Sequence, residues 1–179
     1  DYYASRGLGD VYKRQDEQIY KREDTVNYLD KVISEYISTA LATPNLNVNI
    51  SQALSSYYLM LVDIERISDY AVNMNHQATK RLQGDMTISE IEIVEHMKKL
   101  CADMKNDLDD VEEAERKDDV IDSLVSSWRE AQIQALKQKK CSSEVSMMLS
   151  RIFTDFERIN DHALNVSQEL DKITVEIPA

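Results

Sequence analysis

The sequence is poor in the residues that interrupt helices. Its 179 residues include only three glycines and two prolines, which is too few turn-forming residues for a fold built from many short strands. Two of the glycines, Gly7 and Gly9, lie among the first fifteen residues. A predominantly helical protein is therefore predicted.

Cysteines and long apolar runs are also scarce. The two cysteines, Cys101 and Cys141, have no C-x-x-C spacing, so neither a disulfide framework nor a thiolate zinc site is indicated. The longest apolar run, residues 57–62, is far shorter than the roughly 20 residues that span a bilayer. We expect this stretch of chain to be soluble, and the cytoplasm is its default location.

Basic residues are outnumbered by acidic ones. Lysine and arginine total 21 against 33 aspartates and glutamates, and the formal net charge is -12. Such a surface repels phosphate backbones and anionic lipid, so nucleic acid is not an expected partner. The same surface attracts cations.

Residues 1–15 differ from the rest of the chain, because they show no clear apolar period. The string resembles a translated sequencing-adapter fragment, so we treat it as a non-native tail and exclude it from the fold prediction. The natural protein would then continue upstream of residue 16. A genuine flexible N-terminus is the alternative.

From residue 16 onward, apolar residues recur at helical spacing. Five helices are predicted, connected by short loops into an antiparallel bundle. The first covers about 17–42 and ends before Pro44, and the second is capped by Asn49 or Ser51 and ends at Gly84. A capping box at 87–90 starts the third. The charged stretch 112–117 is predicted to contain the break between the third and fourth helices. The fifth helix covers about 143–170.

An internal repeat is the most informative feature of the sequence. Residues 63–74 and 155–166 share seven identities in twelve positions. The preceding helix is repeated as well, since 23–29 aligns with 118–124. The chain is therefore predicted to contain two related units: 16–86, with two helices, and 87–179, with three.

Each repeated segment carries a Glu-x-x-x-Asp pair, Glu65 with Asp69 and Glu157 with Asp161. Residues four apart share a helix face, and here that face is on or beside the core-facing stripe. Carboxylates in such a place are costly unless a cation or donor neutralises them, and oxygen ligands suit hard or borderline divalent metals. The alternative is that these acids form ion pairs with residues of neighbouring helices, in which Arg66 and Arg158 take part, or that they lie on a solvated acidic face.

The pattern Glu-Arg-Ile-x-Asp-x-Ala-x-Asn, present twice after an acidic helix, resembles the signature of PhoU proteins. The resemblance implies an all-α antiparallel bundle of two repeats, whose Glu/Asp-x-x-x-Asp motifs bind iron or zinc clusters. The chain is most similar to the cytoplasmic C-terminal domains of bacterial sodium/phosphate cotransporters, in which the first repeat reads like residues 23–30. This similarity implies a membrane transporter upstream of the domain and a location on the cytoplasmic face of the inner membrane.

The family's metal ligands carry over onto matching positions of this sequence. They are Glu65, Asp69, Glu157, Asp161, Asp119 and Asp122. Asp24 matches in the first repeat, but Asn27 stands where an acid is expected, and Tyr70 stands where the second copy has His162. If only one site binds metal, these departures favour the second.

The resemblance implies a non-enzymatic regulator of phosphate transport. Its partner would be the membrane portion of the same polypeptide or a separate phosphate transporter, and self-association is left open. Two alternatives are a free-standing PhoU-type regulator and a structural bundle without metal. An oxidase is disfavoured because di-iron sites need Glu-x-x-His, which does not occur here, and there is no phosphate-binding glycine loop.

Overall fold

The computed structural model describes residues 2–81 and 108–176, together with the helical residues Ile93, His96, Met97, Lys99, Leu100 and Asp103; side chains are described for 17–77 and 108–173 and for these six. The two continuous ranges contain four helices: α1 (Tyr2–Leu41), α2 (Val48–Arg81), α3 (Val111–Lys137) and α4 (Ser143–Glu176). The prediction of an all-α fold is confirmed. The predicted stop at Gly84 and the capping box at 87–90 lie outside the described residues.

Helix α1 ends where it was predicted to end but begins earlier. It stops at Leu41, before Pro44, and Asn45 in the following turn has a left-handed φ of 60°. Its N-terminal part includes residues 2–15, which were excluded from the fold prediction. Each residue added to an existing helix gains a hydrogen bond, so extension costs little once a helix has formed. Gly7 and Gly9 weaken this segment without ending it.

Two predicted helix starts are wrong, and the side-chain caps show why. The amide of Asn49 donates to Asn47 Oδ1 at 2.8 Å. The capping residue of α2 is therefore Asn47, and not Asn49 or Ser51 as predicted. Residues 112–117 are not a break but the beginning of α3. Asp110 caps this helix by accepting a hydrogen bond from the Glu113 amide at 3.1 Å. Acidic residues in the first turn also stabilise a helix, because they interact favourably with the positive end of its dipole.

Helices α2 and α4, which carry the repeated segment, pack against each other at the centre of the fold. Helix α1 packs against α2, and α3 packs against α4. The main apolar core lies in the second repeat, where Phe153 and Phe156 are fully buried and Ile93, Met97 and Leu100 also contribute. Among the described helices, none combines the length and the apolar character needed to cross a membrane.

Candidate functional site

The Glu157 carboxylate of the second repeat is already engaged by an arginine. Arg129 on α3 donates to both of its oxygens, at 3.0 Å to Oε1 and 2.6 Å to Oε2. The same guanidinium donates to Thr154 Oγ1 at 3.1 Å. This bidentate ion pair is a strong charge-assisted contact, and it links α3 to α4. Glu157 is thus neutralised by the protein itself.

Asp161, one turn further along α4, is more loosely held. Arg158 on the same helix donates to its Oδ2 at 3.3 Å, and the Asp161 side chain is 44% exposed. Both carboxylates of the pair border an open cleft of about 280 Å³ between α3 and α4. The cleft is lined by Asp122, Arg129, Thr154, Glu157, Arg158 and Asp161. It therefore combines acidic and basic side chains.

Asp118 on α3 is a site residue that the sequence analysis did not select. Burial, together with the neighbouring charges of Asp122, Asp161 and Asp119, raises the pKa of Asp118 to about 6. Its Oδ1 atom is buried and has no hydrogen-bond partner within the described part of the chain. Asp119, the residue selected from the sequence, is exposed. The sequence contains a pattern that could have identified Asp118, because Asp118 and Asp122 have the same four-residue spacing as Glu157 and Asp161.

The first repeat gathers a different set of carboxylates. Burial raises the pKa of Glu65; the charges of Asp69 and of Asp30 on α1 add to this shift, and Arg66 opposes it. Arg66 lies 3.9 Å from Glu65. In the aligned repeats Ser34 takes the place of Arg129, so α1 supplies no arginine at the position that neutralises Glu157 in the second repeat.

The remaining predicted positions of the first repeat contribute less. Asp69 is half-buried beside Glu65, whereas Asp24 and Asn27 are exposed on α1. Throughout the described residues, no three histidine, cysteine, aspartate or glutamate side chains lie close enough together to hold a metal ion. The acids of each repeat thus share one region of the bundle without converging on one point.

A histidine and an aspartate connect the two repeats. His162 Nδ1 lies 2.7 Å from Asp63 Oδ1, and Asn165 donates to the same oxygen at 3.4 Å. The His162 ring also stacks on Tyr70, with centroids 5.8 Å apart. Tyr70 directly follows Asp69 in the chain and His162 directly follows Asp161, so the stacked rings occupy equivalent positions of the two repeats.

Comparison with known proteins agrees with this duplicated arrangement. The model of the PhoU domain family matches residues 8–78 and 89–170, which together make up most of the chain. The chain belongs to the PhoU family. Each matched range includes one Glu-x-x-x-Asp pair, so the duplication seen in the sequence is also a duplication of the PhoU domain.

One PhoU relative comes from Thermotoga maritima (strain ATCC 43589 / DSM 3109 / JCM 10099 / NBRC 100826 / MSB8) and is named phosphate-specific transport system accessory protein PhoU homolog 1. It is 24% identical to this PhoU-family chain over 165 residues, covering 86% of the chain and 70% of the relative. No solved structure matches significantly.

Proposed function

We propose that this PhoU-family chain is a metal-binding regulatory domain that acts on phosphate transport as part of a sodium-dependent phosphate cotransporter. The observation that carries the proposal is the presence of a half-buried carboxylate pair at the same place in both PhoU repeats. The domain would lie on the cytoplasmic face of the membrane and contact the transporter portion of its own polypeptide. It would regulate uptake rather than catalyse a reaction.

The phosphate role is supported by the family and by the relative described above, whose name makes it an accessory protein of a phosphate-specific transport system. The composition agrees with a protein partner and not with a nucleic-acid one, since a net charge of -12 repels phosphate backbones.

Metal binding is supported by the electrostatics of the acids. In the second repeat Asp118, Asp122 and Asp161, which do not converge on one point in this structure, would have to draw together around the ion. The buried Asp118 Oδ1 atom, which has no hydrogen-bond partner in the described part of the chain, favours such a cation. Glu157 would join only by giving up a contact to Arg129. In the first repeat the ligands would be Asp30, Glu65 and Asp69. A bound iron or zinc ion would neutralise these acids and link neighbouring helices.

Metal analysis tests this part of the proposal. The chain is purified without chelator, and its iron and zinc contents are measured by elemental analysis. We expect metal in the unmodified protein and its loss in Asp118→Asn/Asp161→Asn if the second site is occupied, or in Glu65→Gln/Asp69→Asn if the first is. Glu130→Gln, an exposed acid on α3, is the control and should keep its metal. Metal-free protein that takes up neither ion on titration would refute metal binding.

A second candidate is a free-standing accessory regulator that contacts a separate phosphate transporter. It is favoured by the relative, because the chain covers 70% of a protein named as an accessory factor. Recovering the gene upstream of residue 16 separates the two candidates. Membrane-spanning segments there support the cotransporter, whereas a start codon followed by one further polar helix supports the accessory protein.

A transport assay tests the shared regulatory role. The complete gene, with its transporter where the two are separate, is expressed in cells, and uptake of labelled phosphate is followed at low and high external phosphate. Replacing the acids of the occupied site should change the response of uptake to external phosphate, whereas Glu130→Gln should not. An unchanged response in the site variants would contradict the proposed regulation.

A further inference from the structure

Two buried polar side chains of α4 are left without hydrogen-bond partners. Asn160 is 1% exposed and Ser167 is 0% exposed. Within the part of the chain that the structure describes, neither the amide nitrogen nor the amide oxygen of Asn160 has a partner, and the Ser167 hydroxyl has none either. Buried polar atoms in folded proteins are nearly always hydrogen-bonded, because a buried donor or acceptor without a partner is costly. The two residues therefore need partners that the described side chains and backbone do not supply.

Both residues face the core of the second repeat. Asn160 and Ser167 are two helical turns apart and so lie on one face of α4. Phe153, which is two turns before Asn160 on the same face, is fully buried. Along the helix axis the two polar residues are separated by about 10 Å, which is too far for a hydrogen bond between their short side chains. Each must be satisfied by something that lies in the interior between α4 and its neighbours.

Helix α3 brings a third unpartnered group to this interior. Two contacts fix how α3 lies along α4: the ion pair between Arg129 and Glu157, and the hydrogen bond that Gln168 Nε2 donates to Glu115 Oε1 at 3.3 Å. Asp118 lies between these contacts on α3, as the two polar residues do on α4. Its buried Oδ1 atom also has no partner among the described residues. Unpartnered polar atoms thus come from both helices along the same stretch.

Short side chains occupy the neighbouring core-facing positions. Ala163 lies between Asn160 and Ser167 on α4 and is 9% exposed, and Ala114, one turn before Asp118 on α3, is 0% exposed. An internal water molecule needs space as well as about two to four polar partners. An alanine side chain fills no space beyond its Cβ atom. The interior beside the unpartnered groups therefore combines polar atoms with small side chains.

The chemistry of Asn160 selects among the possible occupants of this interior. Its amide nitrogen is a donor and its amide oxygen is an acceptor, so a cation, which binds oxygen, would satisfy only one of the two. An anion would bring a buried charge, which is costly, into a chain whose net charge is already -12. A protein partner does not reach side chains that are at most 1% exposed. A water molecule donates and accepts, and it is small enough to be enclosed.

Polarity at these positions is common to both repeats. Ser68 stands where Asn160 does, and the same alignment extended by one residue puts Asn75 at the place of Ser167. Both residues of the first repeat are half-buried. The polar pair is therefore a feature of the repeated unit and not an isolated substitution in the second repeat.

We propose that internal water molecules are bound in the core of the second repeat, where they hydrogen-bond to Asn160 and Ser167 on α4 and to Asp118 on α3. They supply the donors and acceptors that these side chains lack, and they link the two helices. The proposal goes beyond the regulatory function. It does not depend on metal either, because the Asn160 amide and the Ser167 hydroxyl need partners whether or not the carboxylates hold a cation.

Water-selective Overhauser spectroscopy of the ¹⁵N-labelled, unmodified chain tests the proposal. We expect the side-chain amide hydrogens of Asn160 to show direct contacts to water, with the sign that is typical of water bound for longer than the tumbling time of the protein. The side-chain amide of Asn27, which is exposed on α1, is the matched control and should show only the signature of mobile surface water. The absence of long-lived water at Asn160 would overturn the proposal.

Relaxation dispersion of ¹⁷O-labelled water provides a second test, because its amplitude counts the water molecules that stay bound. We expect Asn160→Leu and Ser167→Ala each to lower the amplitude by about one water molecule. Ser127→Ala is the control and should leave the amplitude unchanged, since the Ser127 hydroxyl is exposed on α3 and donates to the Leu124 carbonyl.

Retention of the fold is checked by circular dichroism, and Ser167→Ala, which removes a single oxygen, keeps the test valid if Asn160→Leu does not fold. An unchanged amplitude in the folded variants would contradict the proposal. So would a crystal structure in which the amide nitrogen and oxygen of Asn160 are both bonded directly to other protein groups.

Discussion

His162 and Asp63 join the two repeats of this protein at the crossing of α2 and α4. Their side chains meet at 2.7 Å and are only 20% and 14% exposed. The position of His162 in one repeat is that of Tyr70 in the other, and the two rings stack. His162 and Tyr70 therefore differ between the two copies, whereas Asp63 is matched by the same residue, Asp155, at its place in the second repeat.

Removing the aspartate of this contact should weaken the packing of the repeats. Asp63→Ala leaves the partly buried His162 without its carboxylate partner and removes the acceptor of the exposed Asn165, and we expect the free energy of unfolding to fall by about 1–2 kcal/mol. Urea denaturation at neutral pH measures the change. Asp24→Ala, at an exposed acid of α1, is the control.

A double-mutant cycle with His162→Ala shows whether the loss comes from this contact. The two substitutions should be less than additive, because each removes the same interaction. Independent effects of Asp63→Ala and His162→Ala would mean that the 2.7 Å contact contributes nothing specific to the α2–α4 interface.

The Arg129–Glu157 pair should stabilise the protein in the absence of metal. Arg129→Met leaves the half-buried Glu157 without its two donors, and we expect a loss of about 1–2 kcal/mol after allowance for solvent screening. Thermal unfolding in the presence of a chelator measures it. Arg158→Met, at an exposed arginine paired with Asp161, should cost less than about 0.5 kcal/mol; an equal loss in both variants would contradict the special role of Arg129.

The sequence predicted the helices well and their boundaries less well. Apolar periodicity runs through nearly the whole chain, so the existence of helices did not depend on tertiary context. The starts of α2 and α3 depend instead on Asn47 and Asp110, whose side chains each cap one specific amide. The charged stretch 112–117 was read as a break, although charged residues are compatible with a helix that begins in an acidic first turn.

The candidate site was predicted in part. The duplicated acids were identified from their spacing, but Asp119 was selected and not its neighbour Asp118, which is half-buried and has a raised pKa. Arg129 could not be assigned from sequence, because it reaches Glu157 from a different helix, 28 positions away. Asp30 was missed for the same reason. Contacts between helices depend on their relative rotation, which periodicity alone does not specify.

The raised pKa of Asp118 should give the metal-free protein a particular pH dependence. Its pKa is about 6 in the folded protein against the ordinary 3.8, so between these values the folded state binds more protons than the unfolded state. Stability therefore falls as pH rises from about 4 to about 6. Asp118→Asn removes this group, so we expect it to stabilise the protein by about 1–2 kcal/mol at pH 7 and to have little effect below about pH 4.

Chemical denaturation at a series of pH values, with chelator present, measures the effect of Asp118→Asn. Glu130→Asn on the same helix is exposed and serves as the control. A stabilisation that is constant from pH 4 to pH 7 would show that the substitution acts by some route other than the ionisation of Asp118.

Equivalent positions in the two repeats should respond very differently to the same deletion of side-chain volume. Phe156 is fully buried in the core of the second repeat, whereas its counterpart Ile64 on α2 is 43% exposed. Phe156→Ala creates a cavity and should cost about 3–5 kcal/mol. Ile64→Ala should cost less than about 1 kcal/mol, because only part of the Ile64 side chain is removed from water on folding. Comparable losses in the two variants would mean that the first repeat buries Ile64 as fully as the second buries Phe156.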